Sequence, residues 1–209
     1  MLPMPKNGLY AITQTENQSI DAILTQTQAV LRGGAKIVQY RDKKPIDARL
    51  LAKALVQLCH QFEVPLIIND DVELALAVGA DGVHLGESDG SIQQARVELG
   101  GNAIIGVSCY NNIERAVDAQ RQGANYVAFG RFFASSTKPL AAPAQLETLT
   151  RAKKMMTIPV VAIGGILPEN GRDLIHAGAD ILAVIGGLMT KEPELSARNY
   201  DDLFALKLH

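Results

Sequence analysis

Four times along this chain a helix-like stretch closes on Gly-Ala plus a polar residue, and an apolar run begins at once. The four are Gly34-Ala35-Lys36, Gly79-Ala80-Asp81, Gly123-Ala124-Asn125 and Gly178-Ala179-Asp180, with successive glycines 45, 44 and 55 residues apart. Glycine suits the left-handed position that ends a helix, and the polar residue suits a tight turn into a strand. Each interval is about the length of two βα units. Further strand-like runs lie between the markers: LYAIT (9–13), PLIIND (65–70), AIIGVS (103–108) and PVVAIGG (159–165). Segments 20–32, 47–62, 72–79, 113–122, 144–155 and 170–178 carry apolar residues at the three-and-four spacing of a helix. Strand and helix thus alternate eight times within 209 residues. That pattern predicts an α/β protein, a single (β/α)8 TIM barrel over residues 1–209. An open doubly wound sheet is the alternative, but it calls for a glycine-rich turn after the first strand, where this chain has Thr13-Gln14-Thr15-Glu16.

Composition narrows the function classes. A 47% hydrophobic and 20% charged chain has a packed core rather than disorder. A net charge of -2 gives no global attraction to nucleic acid or anionic membrane. The longest apolar run, 158–167, is broken by Pro159 and two glycines, and the first eight residues contain no signal-peptide core. The two cysteines, Cys59 and Cys109, read as small buried hydrophobes, and a cytoplasmic location is expected.

A parallel barrel gathers the C-terminal ends of its strands at one mouth. Here those ends are rich in groups that bind phosphate or metal. Gln39, Arg41 and Lys43 alternate along one strand and so share a face, with Lys43 just past its end. Two cations and an amide fit an oligophosphate; the plainer reading pairs Arg41 with Asp42 or Asp47. Asp70 and Asp89 end adjacent strands, where they could share Mg2+ with waters and substrate phosphates. Either could instead cap a helix, with Asp70 or Asp71 serving 72–79 and Asp89 or Ser91 serving 91–99. Asn69 could orient a phosphate or a water. His84 lies inside its strand, lining the pocket or held in the core by a backbone partner. Ser135, Ser136, Thr137 and Lys138 follow strand six, and glycine pairs 164–165 and 186–187 end strands seven and eight. Glycine there lets backbone N–H groups approach a second phosphate. Segments 14–19 and 132–140 are candidate lids.

QYRDK (39–43), NDD (69–71), DGVHLGESD (81–89), GVS (106–108), GRFFASSTKP (130–139) and AIGGI (162–166) together resemble the thiamine phosphate synthase family. The likeness runs from GLYAIT (8–13) to AVIGGL (183–188). It implies a Mg2+-dependent transferase that joins hydroxymethylpyrimidine pyrophosphate to a thiazole phosphate. Gln39, Tyr40, Arg41, Asp42, Lys43, Asn69, Ser108 and Lys138 would contact the pyrimidine pyrophosphate. Arg41, Lys43 and Lys138 would stabilise the leaving group. Asp70 and Asp89 would hold the metal. Ser135, Ser136, Thr137, Gly165, Ile185 and Gly186 would contact the thiazole phosphate. Expected partners are small phosphorylated substrates, and a homodimer is compatible with the sequence.

The chain departs from the family in places. Asp71 stands where the family often has Arg, Glu87 where it often has Gln, Gly186 where it often has Ser, and Tyr110 where many members have His. Rival readings are a thiazole tautomerase on the same barrel, a Schiff-base lyase using Lys43 or Lys138, and a non-catalytic binder of phosphorylated metabolites.

Overall fold

The fold is that of a computed structural model, which describes residues 1–43, 45, 47–134, 143–188 and 190–205. Strand and helix alternate from the first element to the last. The first half holds β1 (Gly8–Ile12), α1 (Ile20–Arg32), β2 (Ile37–Tyr40), α2 (Ala48–Gln61), β3 (Leu66–Asn69), α3 (Val72–Val78), β4 (Gly82–Leu85) and α4 (Ile92–Leu99). The second half holds β5 (Ile104–Tyr110), α5 (Ile113–Arg121), β6 (Tyr126–Gly130), α6 (Leu146–Met155), β7 (Val160–Ile163), α7 (Pro168–Ala177), β8 (Ile181–Val184), a 3-10 turn at Gly186–Leu188 and α8 (Pro193–Ala205). Every strand runs parallel to its neighbours, and β8 pairs back onto β1, closing the barrel. The expected (β/α)8 barrel is the observed one, and the open sheet is excluded.

The Gly-Ala-polar markers have a physical basis at the bottom of this barrel. All four glycines adopt positive φ, between +72° and +122°, where a side chain would be strained. The polar residue then caps the neighbouring strand. Asp81 Oδ2 accepts the Leu66 N–H at 2.9 Å, Asn125 Oδ1 the Ile105 N–H at 2.9 Å, and Asp180 Oδ2 the Val160 N–H at 3.0 Å. Each side chain satisfies a donor in the first two residues of a strand that would otherwise lack a partner. Lys36 has no acceptor to offer, and its stem packs where a Cβ on Gly8 would fall.

Helices begin where side chains can cap them. Ser19, Asp47, Asp71, Ser91 and Asn112 each accept a backbone N–H from the first turn of α1 to α5 in order. Helix α7 starts two residues before the periodic pattern, with Pro168 in its first turn. Helix α8 buries only Ala197 and Tyr200, an apolar face too thin to show as a periodic repeat.

The core has two layers. The outer layer packs strands against helices and takes in both buried cysteines, whose thiols burial pushes up, Cys109 to about 12. The inner layer fills the barrel with Tyr10, Ile12, Ile37, Ile67, Ile104, Tyr126 and smaller neighbours. Above this plug lies the mouth. Among the described residues no helix is long and apolar enough to cross a membrane.

Candidate active site

Strand β3 ends in a turn that splits two adjacent carboxylates. Asp70 takes φ +65°, a left-handed conformation that Asp tolerates better than most residues. Its N–H donates to the His84 carbonyl at 2.9 Å. The turn leaves Asp71 to cap α3, accepting the Leu74 N–H at 2.8 Å. At the next strand Ser91, not Asp89, caps α4. Neither Asp70 nor Asp89 is a helix cap, so both carboxylates are available to one another. They lie near enough for Asp89 to push up the pKa of Asp70, and both line one open groove of about 370 Å3.

That pairing is visible in the acidity of Asp70. Lost hydration and the neighbouring Asp89 carboxyl push it up to about 6, against the pull of the Asn69 amide and the Arg41 guanidinium. Asn69 Nδ2 donates to Asp70 Oδ2 at 2.6 Å. Asp89 is pinned through Oδ2, which accepts the Gly86 N–H at 2.8 Å. Two hard oxygen donors this close, with Asp89 disfavouring charge on Asp70, are suited to a small divalent cation. Among the described residues no third His, Cys, Asp or Glu joins them, so an ion held there would complete its shell with water and ligand oxygens.

Strand β2 ends at Tyr40, and Arg41 follows it. Thr13, just after β1, locks this turn: the Arg41 N–H donates to Thr13 Oγ1 at 3.0 Å, and Thr13 Oγ1 donates to the Arg41 carbonyl at 3.3 Å. Among the described residues Arg41 forms no ion pair with Asp42 or Asp47. Asp47 caps α2, while Asp42 accepts a long 3.5 Å contact from the Tyr40 hydroxyl. Lys43 is exposed beyond the strand. Tyr40 faces away from the barrel interior, its ring buried in the outer core. Within 39–43 only Gln39 points its side chain at the inner layer.

Gln39 opens a buried polar chain across the barrel. Its Nε2 donates to the Tyr10 hydroxyl at 2.8 Å, and Tyr10 meets the Tyr126 hydroxyl at 2.8 Å. Tyr126 meets His84 Nδ1 at 2.9 Å, and His84 Nε2 meets Ser108 Oγ at 2.9 Å. Each hydroxyl both gives and accepts, so the five side chains form one continuous hydrogen-bonded chain from Gln39 to Ser108 at the mouth. Burial pushes both phenols well above their ordinary range, so they stay neutral donors. The described ring partners of His84 are thus hydroxyls rather than the backbone group expected of a core histidine. Tyr10 and Tyr126 were not among the sequence candidates. Their only signal is that each occupies an inward-facing position in its strand.

Glycines shape the far side of the mouth. A Cβ on Gly165 (φ +64°) would strike the Ala134 carbonyl and the Phe133 side chain. Ile185 packs against the inner core, and Gly186 opens the 3-10 turn with free space around it. Ser135, Ser136, Thr137 and Lys138 lie outside the described residues, as does most of the candidate lid 132–140.

A family model described as thiamine monophosphate synthase matches residues 9–188 of the chain. The chain belongs to the thiamine monophosphate synthase family. A thiamine-phosphate synthase from Nitrosococcus oceani is 51% identical over 183 residues, covering 87% of this chain and 84% of that protein. One from Methylobacillus flagellatus is 50% identical over 203 residues, covering 96% of each. Among solved structures, thiamine phosphate pyrophosphorylase from Pyrococcus furiosus superposes with a TM-score of 0.87 at 33% identity over 98% of each chain. The thiamine monophosphate synthase family is one of transferases, and the mouth of this barrel is where its chemistry belongs by architecture.

Proposed function

We propose that the protein joins hydroxymethylpyrimidine pyrophosphate to a thiazole phosphate, releasing pyrophosphate and forming thiamine phosphate. The observation that carries this reading is the Asp70–Asp89 pair beside Arg41, at the same barrel mouth as Gln39 and Ser108. A phosphate binder or an isomerase has no departing diphosphate to neutralise and no need of two facing carboxylates.

A divalent ion, Mg2+ in this reading, would be held by Asp70 and Asp89 and would supply charge neutralisation for the diphosphate as it leaves. Arg41 and Lys43, with Lys138, take the remaining diphosphate charge. Fixed donors of this kind stabilise the charge that grows on the leaving oxygen. The carbon–oxygen bond breaks with its electron pair going to pyrophosphate, and the aminopyrimidine ring delocalises the resulting methyl cation. The neutral thiazole nitrogen then forms the new carbon–nitrogen bond, and no general base is required. Gln39 and Ser108 hold the pyrimidine substrate through the ends of the buried polar chain. Ser135, Ser136 and Thr137, with backbone groups at Gly165, Ile185 and Gly186, receive the thiazole phosphate.

The test mixes both substrates with Mg2+ and follows pyrophosphate release while each component is omitted in turn. Release that requires all three supports the proposal. Release without the thiazole phosphate at the full rate, or none with all three present, defeats it. Borohydride trapping of Lys43 or Lys138 with a carbonyl substrate would point to a lyase instead.

A further inference from the structure

Arg115 is a partly buried arginine in the first turns of α5 that no part of the proposed chemistry uses. Its guanidinium reaches two main-chain carbonyls from different strands. Nε donates to the Ser108 carbonyl on β5 at 2.8 Å, and Nη2 donates to the Gly86 carbonyl just after β4 at 3.2 Å. Both acceptors belong to residues that also serve the site. Gly86 donates its own N–H to Asp89 Oδ2 at 2.8 Å, and a Cβ at Gly86 would collide with that carboxylate oxygen. The Ser108 side chain meets His84 Nε2 at 2.9 Å, and β5 shifts register between Ser108 and Tyr110. The segment from Gly86 to Asp89 has no helix or strand of its own to hold it.

We propose that Arg115 is a positioning residue that locks the Asp89 turn and the Ser108 strand end into one frame. A planar fork can bind two acceptors at fixed separation, which a flexible ammonium cannot. Arg115 therefore sets Asp89, through Gly86, at a constant offset from the Ser108 hydroxyl. The metal-binding carboxylate and the substrate-binding hydroxyl would loosen together if the fork were lost. This inference rests on the reading of Asp89 as a divalent-ion ligand and of Ser108 as a pyrophosphate-substrate contact.

The experiment titrates substrate-free protein with Mn2+, read by electron paramagnetic resonance, and then measures KM and kcat for the pyrimidine pyrophosphate. Arg115→Met and Arg115→Lys are compared with wild type. Arg96→Met is the control, because Arg96 ties main-chain carbonyls of Gly101 (3.2 Å) and Gly123 (3.0 Å) at the opposite end of the barrel. Both Arg115 variants are expected to bind Mn2+ about 10–100-fold more weakly, the usual effect of removing a support behind a metal ligand. Their KM for the pyrophosphate substrate rises in parallel. Arg96→Met loses thermal stability and keeps wild-type Mn2+ affinity. Should Arg115→Met fail to fold, Arg115→Lys alone decides. Folded Arg115 variants with wild-type Mn2+ affinity would reduce Arg115 to a structural tie, and equal weakening in Arg96→Met would expose general loosening; either result overturns the inference. Wild-type protein that binds no Mn2+ would instead remove the metal reading itself, and the inference with it.

Discussion

Asp70 and Asp71 are chemically alike and adjacent, yet they do different work. Asp71 is committed to the α3 N-terminus, so its replacement should cost about 1 kcal/mol of stability, as lost caps do. Asp70 ties to the next strand through its backbone N–H, while its side chain meets Asn69 and Asp89 at the mouth. Asp70→Asn, which tolerates the same left-handed turn, is therefore expected to keep the melting temperature and to lower kcat about 10²–10³-fold at saturating Mg2+; a variant turning over at the wild-type rate would remove Asp70 from the site. Its acidity makes a second prediction. The folded-state value of about 6 lies above the ordinary 3.8, so the native protein keeps a proton that the unfolded chain has released. Without a divalent ion, this group's contribution to stability is fully present below about pH 4 and is lost as pH rises through 6. Divalent-ion affinity should run the other way, falling roughly tenfold per pH unit below 6 because the ion must displace that proton. Melting curves from pH 4 to 8, with and without Mg2+, check both signs. Which neighbour of the pair would cap the helix was not legible in NDD, since it depends on the left-handed turn at Asp70. The sequence pattern does identify both as strand-end carboxylates.

At the scale of elements, the inward faces of β1, β2, β4, β5 and β6 make a polar wire only because one position among them is empty. Gly106 sits directly under Tyr126, and a Cβ there would strike its ring. The ring can then reach Tyr10 edge-on, centroids 5.8 Å apart, and stack on His84 at 5.6 Å. Gly106→Ala should push Tyr126 out of line, costing about 1–3 kcal/mol as overpacked cores do. Activity should drop further than that loss explains, on the order of tenfold to a hundredfold, because His84 and Ser108 move with it. Tyr126→Phe separates the two effects: it removes the hydroxyl, keeps the ring, and should impair turnover with a small change in melting temperature. Equal activity of Tyr126→Phe and wild type would show the wire to be structural only. Strand alternation made Gln39 and His84 readable as inward residues. Gly106 reads in sequence only as part of GVS, because the space it leaves is defined by a tyrosine twenty residues on.

In the whole molecule the two ends of the barrel are specialised, and they were legible for different reasons. The bottom is repetitive: Gly-Ala-polar recurs at the turns into β2, β4, β6 and β8, where the chain must reverse and a strand must be closed, so its spacing alone announces the fold. The mouth is not repetitive, since each strand end contributes a different group to one cavity. Residue types suggested that cavity, but neither the Arg115 fork nor the buried tyrosines could be placed without three dimensions. The division predicts that stability and catalysis can be separated by position. Asp180 lies at the bottom, where Oδ2 accepts the Val160 N–H and Oδ1 holds Lys153 Nζ at 2.7 Å. Asp180→Ala leaves the opening N–H of β7 without its acceptor, which should cost about 1–3 kcal/mol. For a chain of this length each kcal/mol lowers the melting temperature by about 2–4 °C. Strand β7 also leads to Gly164 and Gly165 at the mouth, so a barrel that transmitted strain along its strands would show a raised KM for the thiazole phosphate. A close-packed interior with both neighbours of β7 still paired should confine the damage instead. The expected result is a clear fall in melting temperature with kcat and both KM values unchanged at 25 °C; a shift in KM would mean that the two ends of the barrel are mechanically coupled.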